Sequence, residues 1–122
     1  MITVMKNIPP YVAGFTASGD VTKTDYENVL IPRIEEVYKK HGHIHFLFEL
    51  RTDVGNFKTA AWWEDLMIGL KHFSKWRKMA IVSDQKAVQK MSDWISPMLP
   101  GKTKGFKLDE LEQARTWVAE EN

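Results

Sequence analysis

The chain contains no cysteine among its 122 residues, and this absence excludes several kinds of chemistry at once. Without thiols there is no disulfide, no thiolate nucleophile and no cysteine-bound metal. No apolar run approaches the length of about 18 residues that a membrane-spanning helix needs. The 17 basic and 16 acidic residues leave a formal charge of only +1. A balance this close to neutral does not indicate a nucleic-acid-binding protein.

The opening residues, Met1 to Lys6, lack the basic and then apolar pattern of a secretory signal, so we expect a cytoplasmic protein. Hydrophobic residues make up 43% and charged residues 27%, which is typical of a soluble globular chain. The length fits one domain, 1–122, without repeats or linkers.

An apolar stretch at 43–50 is typical of a strand buried in the middle of a sheet. Its consecutive residues Phe46, Leu47 and Phe48 leave neither face for solvent, so helices should cover both faces. A polar loop follows, and residues 59–76 then show the apolar spacing of a helix.

Strand and helix patterns alternate along the whole chain in the order β-β-α-β-α-β-α-β-α. This order predicts an α/β fold with a mostly parallel sheet of about five strands, one antiparallel edge strand and about four helices. The predicted strands are 2–6, 11–18, 43–50, 78–83 and 102–108, and the predicted helices are 22–41, 59–76, 85–95 and 109–118.

The start of the first helix is marked by Thr22 followed by Asp25, which predicts a capping box. Thr24 with Glu27 offers the same box in another register. At the other end Gly42 suits the residue that follows a helix.

Three further local signals concern single positions. Pro32 predicts a kink in the first helix or a restart near Ile31. Asp109 with Glu112 predicts the capping box of the last helix. Gly14, inside the second strand, predicts a bulge or a close approach of neighbouring atoms.

Residues spread over nearly the whole chain together resemble the SpoIIAA-like family, bacterial relatives of STAS domains. The matching residues are Asp25-Tyr26 with Ile31-Pro32, Ala61 with Trp63-Glu64-Asp65, Ala80-Ile81-Val82 with Asp84, and Phe106 with Ala114 and Trp117. The resemblance implies the small α/β fold that STAS domains share with CRAL-TRIO lipid carriers. It implies no settled enzymatic activity.

STAS regulators carry a phosphorylatable serine in an Asp-x-Ser-Gly motif after the third strand. The corresponding segment here, 51–59, contains Asp53 and Gly55 but no serine. Thr52 and Thr59 are its only hydroxyls, so they are the candidate phosphosites. The departure from the motif argues against a phosphoserine switch.

The helix predicted at 59–76 has an unusually wide apolar face. At 100° per residue its large side chains span an arc of about 140°, and Trp76 extends it by about 40°, whereas packing on a sheet needs little over about 100°. The excess predicts an apolar binding surface, with a broad core face as the structural alternative. A second apolar stretch, 94–100, predicts a lid over the same ligand, with a buried loop plug as the equal alternative. The predicted ligand-binding residues are Trp62, Trp63, Leu66, Met67, Leu70, Phe73, Trp94, Met98 and Leu99.

Basic residues surround the end of this helix. With Trp76 among them, they could contact anionic head groups at a membrane surface. The alternative is that these cations only complement the helix dipole. The predicted contact residues are Lys71, Lys75, Trp76, Arg77 and Lys78.

Three histidines, His41, His43 and His45, lie at the entrance to the central strand. Two of them share a strand face with Glu49, but no zinc-site spacing is present, so we predict ordinary polar residues and no metal. No nucleophile elbow or phosphate loop occurs either.

The sequence therefore predicts a non-enzymatic STAS-like domain without a cofactor. It would bind an apolar or amphipathic small molecule and associate peripherally with the inner membrane face. The alternative is a protein-interaction module, including a homodimer, that uses the same surface.

Overall fold

A computed structural model describes residues 1–52, 76–84 and 102–120 of the chain. The strands in these ranges are β1 (Ile2–Val4), β2 (Val12–Ala17), β3 (Ile44–Leu50), β4 (Trp76–Val82) and β5 (Lys102–Phe106). Helix α1 is one helical segment in three parts, Lys23–Asp25, a π-helical turn Tyr26–Leu30, and Ile31–His41. Helix α2 is Leu111–Ala119, preceded by a 3-10 turn at Leu108–Glu110.

The five strands form one sheet in the order β1-β2-β3-β4-β5. β1 pairs with β2 antiparallel, and every other neighbouring pair is parallel. The predicted mostly parallel sheet with an antiparallel edge strand is therefore confirmed. Residues 44–50 of the stretch at 43–50 form the central strand, as its composition predicts.

β3 is buried along its whole length, and its residues alternate between two apolar clusters. On the front face, which α1 covers, Phe46 and Phe48 pack with Leu30, Ile34 and other apolar residues. On the back face, Leu47 packs with residues of α2 such as Ala114. Both faces are covered, which is the reason for the three consecutive apolar residues.

Helix α1 follows its predicted boundaries closely. The Thr22 hydroxyl accepts from the Asp25 amide at 3.3 Å, and the Asp25 carboxylate accepts from the Thr22 amide at 3.1 Å. Pro32 lies in the first turn of the segment that restarts at Ile31, directly after the π-helical turn. Proline has no amide hydrogen to donate, and here the position without that donor lies where the helix changes pitch. Gly42 ends the helix with φ of +74°.

Two helices lie among the described residues, against about four predicted. The predicted helices 59–76 and 85–95 fall outside these residues, with the exception of Trp76. That residue pairs with Ile44 in the sheet, so the prediction that it ends a helix is wrong. β4 begins two residues earlier than predicted because its pairing with β3 continues past Lys78.

The predicted capping box of Asp109 with Glu112 is also wrong. The Glu110 carboxylate accepts from the Lys107 amide at 2.8 Å, and the Asp84 carboxylate accepts from the Leu108 amide at 3.2 Å. These acceptors stabilise a 3-10 turn at the position where the sequence predicts the first α-helical turn.

Gly14 marks a close approach, one of its two predicted roles. A Cβ atom there would lie 2.5 Å from Ile8 Cδ1 and 3.2 Å from Met5 Cβ. The chain between β1 and β2 therefore folds tightly over this glycine.

We expect Gly14→Ala to lower the free energy of unfolding by about 1–3 kcal/mol, because the added methyl overpacks a buried site. Urea denaturation measures the loss. Ile8→Val removes the clashing Cδ1 atom, so the double variant should recover part of the lost stability. An unchanged midpoint in Gly14→Ala would contradict the close approach.

Candidate functional site

The parallel strands β2 to β5 all end at the same edge of the sheet, here called the carboxyl edge. Thr16, Glu49, Val82 and Phe106 are paired in register across it. Ligands of open α/β sheets generally bind outside the carboxyl ends of the strands. The polar side chains at this edge are therefore the first place to look for a site.

Glu49 is a buried carboxylate at the carboxyl edge, 3% exposed. Its Oε1 accepts from the Thr16 hydroxyl at 2.9 Å. Its Oε2 lies 2.7 Å from Arg51 Nη2, an ion pair whose alignment does not meet hydrogen-bond geometry. A charge can be buried when it is paired in this way.

Arg51 links this buried carboxylate to solvent. Its side chain is 51% exposed, while its backbone amide donates to Ala17 O at 2.9 Å and thereby extends the pairing beyond β3. A guanidinium carries five N–H donors in a fork that fits carboxylates and phosphates. The pair can therefore hold a negatively charged group while Glu49 fixes its position.

Thr52 does not fit its predicted role as a phosphosite. It is 7% exposed, and its hydroxyl donates to Gly19 O at 2.8 Å. A phosphate carries a charge of about −1.5 to −2 and needs cationic partners or solvent. The second candidate, Thr59, lies outside the described residues.

The end of β4 is fixed beside the end of β3. Ser83 is fully buried, and its amide donates to Phe106 O at 2.8 Å. Asp84 follows at the surface, where its carboxylate accepts from Leu108. The connection 85–101 thus departs next to the connection 53–75.

All residues predicted to line the apolar site belong to these two connections and lie outside the described residues. The structure places the residues that flank each connection. The first connection leaves after Thr52 and returns at Trp76, and the second leaves after Asp84 and returns at Lys102. Since β3, β4 and β5 are neighbours in the sheet, the two connections begin side by side and end side by side.

Two residues of the predicted membrane contact are buried instead. Trp76 is 5% exposed and meets the Phe46 ring edge-to-face at 5.9 Å. Lys78 is 3% exposed, because β4 directs it to the back face. Arg77 is exposed, at a register shift between β3 and β4. Lys71 and Lys75 lie outside the described residues.

No helix within the described ranges is long and apolar enough to cross a membrane.

The histidines lie at the opposite, amino edge of the sheet. The rings of His43 and His45 are 5.3 Å apart, and His45 is fully buried. Burial lowers the pKa of the His45 imidazole. Within the described part of the chain, no three metal-binding side chains are arranged to hold an ion. Glu49 is four residues further along β3, about 13 Å away, and binds Thr16 and Arg51 instead.

Sequence reasoning missed two features of this architecture. It did not pair Glu49 with Arg51, and it did not place Tyr11, His45 and Lys78 around the end of α2. The alternation along β3 does put Glu49 on the back face. The pairing with Arg51 depends on how the chain turns after β3, which the alternation does not encode.

A family model described as SpoIIAA-like matches residues 12–119, which include β2 to β5 and both described helices. No curated protein and no solved structure matches the chain. The family match supports a regulatory or interaction module of the STAS type. The span of the match and the sheet topology agree with the resemblance noted in the sequence. The chain belongs to the SpoIIAA-like family.

Proposed function

We propose that this SpoIIAA-like domain is a non-enzymatic module that binds an amphipathic small molecule at the carboxyl edge of its sheet. The observation that carries the proposal is the ion pair of buried Glu49 with half-exposed Arg51 at that edge. In this proposal the Arg51 guanidinium receives the anionic head of the ligand. The head group would then lie far from Arg77, which is five residues before Val82 on β4 and hence about 16 Å from the carboxyl edge.

The apolar part of the ligand would lie between the two connections. Both leave the sheet beside the ion pair, and their sequences hold the large apolar residues, Trp62 to Phe73 and Trp94 to Leu99. Each methylene buried there would contribute about 0.8 kcal/mol to binding. A chain of several methylenes would therefore supply most of the affinity.

Family membership favours binding over catalysis. The SpoIIAA-like and STAS group is generally non-catalytic. At the described part of the carboxyl edge, the hydroxyls of Thr16 and Thr52 already donate to Glu49 and to Gly19 O. Hydroxyls held in this way support a structural role in shaping the edge.

Native mass spectrometry of freshly purified protein tests the proposal directly. We expect a bound species above the 14.2 kDa chain mass, or uptake of oleate as an amphipathic anionic probe. A mass near twice the chain mass without ligand would instead favour the protein-interaction alternative. A chain that neither retains a ligand nor takes up oleate would contradict the proposal.

Two variants of the same ion pair separate binding from stability. Arg51→Gln should weaken oleate binding at least tenfold, because the head group loses its cation. Glu49→Gln breaks the same pair but frees the guanidinium, so oleate binding should be kept or strengthened. Arg77→Gln, at the opposite edge, is the surface control and should bind as wild type. Equal losses in both ion-pair variants would show that the pair matters only for folding.

Liposome co-sedimentation tests the proposed membrane association separately. Lys75→Glu and Arg77→Glu should reduce association with anionic vesicles, whereas Trp76 is unsuitable for this test because it is buried. A wild-type chain that stays in the supernatant with both anionic and neutral vesicles would remove the membrane from the proposal.

A further inference from the structure

Three side chains from separate parts of the fold hold the C-terminal end of α2. The Tyr11 hydroxyl donates to Ala119 O at 2.6 Å, and Lys78 Nζ donates to Trp117 O at 2.9 Å. His45 Nδ1 lies 2.6 Å from Val118 O. The last carbonyls of a helix have no partner within the helix. The three side chains satisfy three successive carbonyls and thereby dock the helix on the back face.

The bond to Val118 determines the protonation of His45. A carbonyl oxygen only accepts, so Nδ1 carries the hydrogen and Nε2 is the bare nitrogen of the neutral ring. Nε2 is buried and has no hydrogen-bond partner among the described residues. Protonation would place an N–H group and a positive charge there without an acceptor, which is unfavourable in a buried site.

Further charges around His45 are mostly positive. Lys78 and Arg77 lie near it on β4, and His43 lies just before β3 with its ring 5.3 Å away. Together with burial, which is the larger cause, these groups lower the pKa of His45, while the Val118 carbonyl acts in the opposite direction.

The remaining titratable groups that the structure describes at this end of the sheet do not offset that positive charge. The Tyr11 ring lies 5.2 Å from the His45 ring, and His41, at the end of α1, lies 6.4 Å from Tyr11. Glu120, just after α2, is a nearby carboxylate, but it lies 3.6 Å from Lys78 Nζ and is half-exposed. A second positive charge at His45 would therefore have no partner of its own among the described residues.

We propose that α2 is an acid-sensitive element, which leaves the sheet when His45 takes up a proton. The closed form holds the neutral ring, and the open form lets the ring reach water. Acid therefore shifts the equilibrium toward the open form. Opening uncovers the apolar back face around Leu47, Ala80 and Val82. The same chain then presents a different surface below neutral pH.

The sign and size of the effect follow from linkage. The pKa of His45 is lower in the closed form than in the open form, where it has its ordinary value of about 6.5. As the pH falls below about 6.5, the open form binds the proton more strongly, so the closed form becomes less stable relative to it. Between about pH 7.5 and pH 5, the opening constant can rise by up to about 30-fold. The rise ends once the pH passes the lower pKa of the closed form.

Hydrogen exchange on the full chain measures this opening, after correction for the intrinsic effect of pH. We expect amides of α2 to lose protection in acid at least tenfold more than amides of α1. His45→Asn keeps an N–H donor near the Nδ1 position and cannot titrate, so its α2 protection should not change with pH. His43→Gln is the matched control and should retain most of the rise.

Two results would overturn the proposal: an equal loss of protection in α1 and α2, or an unchanged rise in His45→Asn. If His45→Asn does not fold, NMR titration of the wild-type imidazoles decides the matter. The change of the His45 chemical shift with pH must then follow the loss of hydrogen-exchange protection in α2. A His45 signal that titrates without any change in α2 would also exclude the mechanism.

Discussion

Replacing Phe46 with alanine is expected to lower the free energy of unfolding by about 3–5 kcal/mol. Phe46 is 2% exposed in the middle of β3. Its ring centroid lies 5.8 Å from that of Phe15 and 5.9 Å from those of Phe48 and Trp76. These neighbours are rings on three adjacent strands whose spacing the sheet fixes. They cannot close around the gap, so the variant loses both the buried ring and its contacts.

Urea denaturation followed by far-ultraviolet circular dichroism measures this loss without depending on the tryptophans near the cavity. Phe46→Leu is the matched control, and it should cost less than about 1.5 kcal/mol because it keeps most of the volume. A loss below that value in Phe46→Ala, with an unchanged denaturant slope, would mean that the front-face core rearranges. The packing of Trp76 against Phe46 would then be looser than its edge-to-face geometry indicates.

The features that sequence predicts well here depend on neighbours along the chain. The Thr22 and Asp25 capping box joins residues three apart, and Gly42 ends α1 through its own backbone freedom. Pro32 lies within one turn of the point where the helix changes from the π-helical turn to a regular α-helix. The central strand is similar, since three consecutive apolar residues require cover on both faces. Local physics suffices for all of these.

Trp76 shows where local patterns stop being sufficient. Its spacing from Phe73 and Trp62 continues a helical stripe, while its position two residues before the predicted strand 78–83 is equally compatible with an extension of that strand. The choice between them is made by pairing with Ile44, 32 residues earlier, since 76 − 44 = 32. Periodicity contains no information on such a partner. Lys78 pairs with His45 after the register shift between β3 and β4, and this pairing directs it to the buried back face.

Polar residues in strands or directly beside them were the least predictable part of the described chain. Tyr11, His45 and Lys78 are separated from the carbonyls they bind by 108, 73 and 39 residues. A strand position with a polar side chain normally indicates a solvent face. Here the unsatisfied end of a helix supplies the acceptors, and a helix end meets a sheet only in the assembled fold.

The buried polar groups at the two edges of the sheet have different roles. At the amino edge, buried polar groups bind carbonyls of α2, so their primary role is to dock a helix. At the carboxyl edge, Glu49 binds a half-exposed arginine. A ligand can compete for Arg51 from solvent, whereas it cannot reach Lys78 without displacing α2. Binding and acid sensitivity can therefore be tested independently.

Reversing the charge at Lys78 should have a comparably large effect on stability. Lys78→Glu is expected to cost about 3–5 kcal/mol or to prevent folding, because it buries an unpaired carboxylate. The lysine donates to Trp117 O, lies 4.8 Å from the Trp117 ring centroid and pairs with Glu120. A glutamate there cannot donate to the carbonyl, and it would repel both Glu120 and the negative end of the helix dipole.

Lys102 provides the matched control for this variant. It pairs with Lys78 in the register of β4 and β5, but its side chain is exposed. Lys102→Glu should therefore change the free energy of unfolding by no more than about 0.5 kcal/mol. Equal, small effects at both positions would mean that Lys78 reaches solvent. The predicted contact of Lys78 with anionic head groups would then be supported. A large difference between the two variants would assign Lys78 to docking α2, leaving Arg77 as the exposed cation of this part of β4.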